Sequence, residues 1–148
     1  MEEKTKPLAE LAGEYELIGQ ALLELISSCP HIPSGLKLLY NKTDTGRSIG
    51  LLTGSGNFTA DVLGGFTATI KFQIAYKSFP VSSQQSIENQ AVVDKIMKWL
   101  SNTKELPKLT DGRIITKIKV SNSFPVEEGT GKDKSVTYVG SAVMEYEK

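Results

Sequence analysis

His31 is the chain's single histidine and Cys29 its single cysteine, and both sit in the proline-bracketed stretch Cys29-Pro30-His31-Ile32-Pro33. A Cys–His pair brings at most two soft ligands where zinc takes three or four, so one chain cannot complete a metal site from them. A hydrolytic triad would have to draw its base from this same proline-locked His31, and no G-x-S-x-G elbow presents a nucleophile. Cys29, at a helix end beside Pro30, reads as a packed or merely tolerated thiol. Gly129-Thr130-Gly131-Lys132 imitates the tail of a phosphate-binding loop. That loop needs glycine where Val126 stands and Ser or Thr where Asp133 stands, and no helix follows to offer its N-terminus. Gly54-Ser55-Gly56 lacks the same context and reads as a flexible turn. Asp44 and Asp61 read as separate solvated charges rather than paired carboxylates. No catalytic residue, metal ligand or cofactor is assigned.

The chemistry left is that of surfaces. From Phe66 to Lys77 every second side chain is apolar: Phe66, Ala68, Ile70, Phe72, Ile74 and Tyr76. Successive side chains of an extended backbone point to opposite faces, so this is a strand with one greasy face and one wet face. The wet face carries Thr67, Thr69, Lys71, Gln73 and Lys77, and the last strand adds Val139 and Val143 to its outer side. A sheet covered on one side only is antiparallel or mixed, and its other side is free for contact. The second candidate surface is the stretch 41–65, rich in glycine and holding Lys42, Asp44, Arg47, Asn57 and Phe58. It reads as an arm that orders on contact with partners.

The elements that position these surfaces follow from periodicity. A helix from about Pro7 to Ser28 buries Leu8, Leu11, Tyr15, Ile18, Leu22 and Leu25, with Glu10, Glu14, Glu16 and Glu24 toward water and Leu17 exposed. A short strand, Leu36 to Tyr40, precedes the arm. Within the arm we expect a weak strand over Arg47 to Leu52, a turn through Gly54–Asn57 and a second partial strand. After the main strand, Ser82 with Gln85 forms a capping box for a second helix burying Val92, Val93, Ile96, Trp99 and Leu100. Strands follow over Arg113–Val120 and Ser135–Tyr146, with the loop Ser121 to Lys134 between them. The order predicts a single α+β domain over residues 1–148. Its architecture is a two-layer sandwich, with two helices on one face of a four- to five-stranded, mainly antiparallel sheet.

Composition narrows the function. Lys plus Arg equals Asp plus Glu at 17 each, so the net charge is zero, which argues against a nucleic-acid binder and removes electrostatic resistance to self-association. No stretch approaches the length of a membrane span, and Met1 to Pro7 lacks the apolar centre of a signal peptide. An intracellular setting is the expectation, and the triplets at Asn41 and Asn57 are then chance glycosylation matches.

Several local phrases resemble one protein family. Leu-Leu-Glu-Leu-Ile-Ser-Ser-Cys-Pro (Leu22 to Pro30) closes the first helix, and Lys-Phe-Gln-Ile-Ala-Tyr-Lys-Ser (Lys71 to Ser78) leads through Pro80 into a helix ending Met-Lys-Trp-Leu (Met97 to Leu100). Val-Ser-Asn-Ser-Phe-Pro (Val120 to Pro125), an acidic glycine-bearing loop and a closing strand with Tyr138 and Tyr146 follow. Over nearly the whole chain this order and wording resemble the minor-capsid and tail-completion proteins, related to tail terminators, of phages of Gram-positive bacteria. The resemblance implies a non-enzymatic virion subunit forming a ring, commonly of six copies, at the head–tail junction. Its partners would be itself, the tail-tube protein and the head–tail connector, in the virion or in host cytoplasm during assembly, with no membrane or sequence-specific nucleic acid. It also implies that hairpin arms reach the lumen or the next subunit. The alternative is a small-ligand-binding domain with a pocket between sheet and helices, lined by Phe72, Tyr76 and Trp99.

Overall fold

Alternation in the main strand sets the architecture. The computed structural model describes residues 5–44, 46–103, 109, 112–121, 123–128 and 134–148. In chain order the elements are β1 (Thr5–Pro7), a 3-10 turn (Leu8–Glu10), α1 (Glu14–Ser27), β2 (Leu38–Tyr40), β3 (Ser48–Ala60), β4 (Phe66–Ser78), α2 (Ser83–Asn102), β5 (Ile114–Val120), β6 (Phe124–Glu128) and β7 (Ser135–Glu147). Along β4, Ala68, Ile70, Phe72, Ile74 and Tyr76 are buried while Thr67 and Lys71 are exposed. The protein is α+β, with two helices and a largely antiparallel sheet.

Three 13-residue strands, β3, β4 and β7, form the centre of the sheet, antiparallel in the order β3-β4-β7. Each flank carries two short strands laid along one long one. β1 pairs antiparallel with Asn57–Thr59 and β2 pairs parallel with Ile49–Leu51 on β3. β6 and β5 both pair antiparallel with β7. Among the described residues the sheet therefore has seven strands rather than the expected four or five. The two missed strands, β1 and β6, have three and five residues, too short to display alternation, and each contains a proline.

The arm is also corrected. Gly54-Ser55-Gly56, expected to turn, lies inside the continuous strand β3. The register jumps from Thr53↔Phe72 to Gly56↔Ile70, so β3 spends one residue more than β4 and forms a bulge. The extra residue switches which parity faces inward: Ile49 and Leu51 before it, Gly56 and Phe58 after it. That switch is why the pattern resembled two partial strands.

The first helix starts later than expected. Gly13, in the left-handed region at φ 79°, separates α1 from the 3-10 turn, and the chain before it runs as β1 along the sheet. Ile18, Leu22 and Ile26 of α1 and Val93, Ile96, Met97 and Leu100 of α2 join the inward residues of the sheet in one core. Leu17 and Trp99 are half-buried, where exposure and full burial respectively were expected. Two glycines mark close approach. A side chain at Gly19 would collide with the Tyr40 ring, and one at Gly140 with Met97. The expected N-cap of α2 is present, with Ser82 Oγ accepting from the Gln85 amide at 3.2 Å.

Candidate functional site

The outward face of the sheet gathers residues from four strands. Register places Thr59 and Asn57 of β3 beside Thr67 and Thr69 of β4. On the other side of β4, Glu147, Glu145, Val143 and Ser141 of β7 stand opposite Thr67, Thr69, Lys71 and Gln73. β5 continues the surface with Ile114, Lys117 and Lys119. Asn57, Thr67, Lys71, Lys117, Lys119 and Glu147 are exposed, while Thr69 and Gln73 are half-buried. Gln73 Nε2 donates to Ser141 Oγ at 3.4 Å. The sequence-predicted residues Asn57, Thr67, Thr69, Lys71 and Gln73 thus share one surface. Phe58 does not. It is 7% exposed and packs edge-on against Phe66, with ring centroids 6.0 Å apart.

Lys42, Asp44 and Arg47 belong to the crossover that the parallel β2–β3 pairing demands. Asn41 turns the chain with φ 54°, its amide donating to the Leu51 carbonyl at 2.7 Å while its Oδ1 accepts from the Thr53 amide at 2.7 Å. The crossover then passes over the outward face, where the Lys42 carbonyl lies against Gly50 and leaves no room for a side chain. Lys77 Nζ donates to the Asp44 carbonyl at 3.1 Å, and the Asp44 amide donates to Ser48 Oγ at 3.0 Å. Ala75 and Val139, on this side of the sheet, are only 1% and 7% exposed. Arg47 Nε donates to Tyr76 Oη at 2.7 Å, its guanidinium 5.5 Å from that ring's centre. One end of the outward face is covered, and the other is open.

At the open end, β3 and β4 are joined by a locked turn. The Gly64 amide donates to the Asp61 carbonyl, the Leu63 amide to Asp61 Oδ1, and the Asp61 amide to the Gly65 carbonyl at 2.8 Å. Gly64 has φ 93°, the left-handed position that follows a type I turn in a three-residue hairpin loop. The turn presents Val62 and Leu63, 94% and 91% exposed. Both fall in the stretch 41–65 read as an arm, and their display was not foreseen. Asp61 three residues before Gly64 was the available signal.

Inside the same end is a buried ionic clasp. Arg113 grips both oxygens of Glu14, Nε to Oε1 at 2.9 Å and Nη2 to Oε2 at 2.6 Å, and Tyr146 Oη donates to Oε1 at 3.1 Å. Glu14 and Arg113 are 4% and 8% exposed, so the expectation that Glu14 faces water is wrong. Burial alone would raise the Glu14 pKa. The hydrogen bonds from Arg113 and Tyr146 outweigh it and hold the carboxyl below its usual range. Burial, with the Glu14 charge beside it, pushes the Tyr146 phenol well above its ordinary value. A carboxylate held as an anion with both oxygens occupied is arranged to fasten, not to shuttle protons.

The other chemical candidates do not converge. Cys29 is buried, which raises its pKa, whereas His31 is exposed. Among the described residues no group of three or more His, Cys, Asp or Glu side chains is placed to hold a metal. Asp44 and Asp61 lie near opposite ends of β3. The stretch 129–133, with the phosphate-loop lookalike, falls outside the described residues. Phe72 and Tyr76 are each 1% exposed within the core, while Trp99 lines an open groove with His31, Lys95 and Lys98. Among the described residues, no helix is long and apolar enough to cross a membrane. Compared with protein-family models and with curated proteins, the chain finds no match.

Proposed function

We propose that this protein is a non-enzymatic assembly subunit that works by protein–protein contact. Its two helices and sheet act as a two-layer unit with the helices on one face. The observation that carries the reading is the uncovered outward face, from Thr59 and Asn57 across Thr67 and Lys71 to Lys117 and Glu147. Three of the four edge strands are poor alternatives for contact. β1 and β6 contain Pro7 and Pro125, and β5 carries Lys117 and Lys119 with a register shift at Thr116. Prolines, lysines and bulges all discourage strand addition. Contact through a face or a turn is favoured over these edges.

The phrases Leu22–Pro30, Lys71–Ser78 and Val120–Pro125 support a more particular reading: a tail-completion subunit of a phage or prophage, ringed at the head–tail junction. Its partners would be further copies, the tail-tube protein and the connector. Light scattering coupled to size exclusion, across a concentration series, tests the association. Species at whole multiples of the 16.1 kDa chain are expected. A strict monomer at the highest concentration, alone and with tail tubes added, overturns it.

A further inference from the structure

Trp99, the chain's only tryptophan, is half-buried on α2 while its neighbours Ile96 and Leu100 are covered. It lines a groove of about 460 Å³ with His31, Lys95, Lys98, Asn102 and Thr103. A bulky indole left partly at the surface is the kind of residue that anchors contacts. Among the described residues, the indole N–H and the Lys95 and Lys98 ammonium groups have no hydrogen-bond or ion-pair partner.

The charge of the groove has one sign. Lys95 and Lys98 are exposed, and among the described residues no carboxylate lines it. The acids of α2 are engaged elsewhere: Ser123, just before β6, donates through Oγ to Asp94, and Gln84 Nε2 donates to Glu88 Oε1 at 3.3 Å. A helix C-terminus ordinarily repels an anion, but here the last carbonyls are taken. Ser101 Oγ donates to the Lys98 carbonyl at 2.9 Å, Thr103 Oγ1 to the Trp99 carbonyl at 2.8 Å, and the Thr103 amide to the Leu100 carbonyl at 3.4 Å.

Spacing narrows the ligand. Lys95 and Lys98 are one turn apart on one face, with Cβ atoms about 5–6 Å from each other. In an extended peptide, side chains two residues apart point the same way at about 7 Å. Acidic residues at alternate positions therefore match the two ammonium groups. Single-stranded nucleic acid also offers anions with stacking rings, but one indole and two lysines make no track along a strand, and the chain has no net positive charge.

We propose that this groove docks an extended acidic segment of a partner protein, its alternate carboxylates on Lys95 and Lys98 and its stem against Trp99. The proposal goes beyond the assembly reading, which rests on the outward face of the sheet.

Trp99 itself reports the test. A short blocked peptide alternating glutamate with glycine is titrated into the full chain while Trp99 emission is followed. A saturable change is expected, weaker at higher salt and absent with the glutamine analogue. Lys95→Gln with Lys98→Gln should raise the dissociation constant about tenfold, as two exposed ion pairs imply, with an unchanged thermal melt. Lys117→Gln with Lys119→Gln, on the other side of the sheet, should leave it unchanged. The proposal is overturned by a silent Trp99 at millimolar peptide, by an equal response to the glutamine analogue, or by an equal loss in both lysine variants. An undiminished response from the Lys95 and Lys98 variant overturns it too. So does a stronger response to oligothymidylate, which would make the groove a site for single-stranded nucleic acid. Self-association is read separately by the light-scattering series, so either reading can fail without the other.

Discussion

At the scale of single residues, Glu14 decides most. Glu14→Gln would take the carboxylate charge away from the buried Arg113 that grips it, a loss that should cost about 3 kcal/mol. Replacing the pair together, Glu14→Leu with Arg113→Met, should cost less, because both charges of the clasp leave together. Urea unfolding of the two variants checks the order. The pH dependence has a definite sign. The folded-state pKa of Glu14 lies below its unfolded value. Between the two values the unfolded chain binds more protons, so the clasp contributes fully above the ordinary carboxylate range and is lost as pH falls through the folded pKa. Urea midpoints taken downward from pH 6 should therefore decline more steeply in the parent than in the Leu/Met double variant. None of this was legible beforehand. Glu14 looks like its neighbours Glu10 and Glu16, and its partners Arg113 and Tyr146 are 99 and 132 residues away. Thr67 and Lys71 were legible, because alternation alone assigns them to the wet face, whereas Asn57 was read as part of a turn in the arm.

At the scale of elements, glycines fix how tightly chain segments cross. Gly50→Ala would push a methyl group into the Lys42 carbonyl, a backbone atom that cannot yield unless the crossover lifts. A cost of about 1–3 kcal/mol follows, with faster hydrogen exchange at the Asn41 amide. Gly140→Ala meets the Met97 side chain, which can swing aside, together with Val93. The smaller penalty is expected there, measured by thermal denaturation of both variants side by side. The long elements were readable: β4, α2 and β7 each hold one period for 13 residues or more. What broke the reading elsewhere was local geometry. The bulge at Gly54-Ser55 shifts the phase of β3. Gly13 halts a pattern that runs on through Leu8 and Leu11, so one long helix was inferred where a strand, a 3-10 turn and a shorter helix stand.

At the scale of the whole molecule, the sheet's order matters more than its size. β7 lies between β4 on one side and β5 and β6 on the other, although it follows all three in sequence. A chain cut after Lys134 would lack Tyr138, Met144 and Tyr146 from the core and Tyr146 from the clasp. Such a fragment should show no cooperative melt by circular dichroism. The sheet's class followed from the alternating strands. Its strand order did not, since nothing in the 3.6- and 2-residue periods says which strands are neighbours. The same order has a consequence during synthesis. While the ribosome is still translating residues ahead of Ser135, the greasy side of the β3–β4 hairpin has no neighbour on its far flank, and α2 has no Gly140 to rest on. The nascent polypeptide must wait, exposed to chaperones and to its own polysomal siblings, until its final strand slots into the gap and completes the product in one late step.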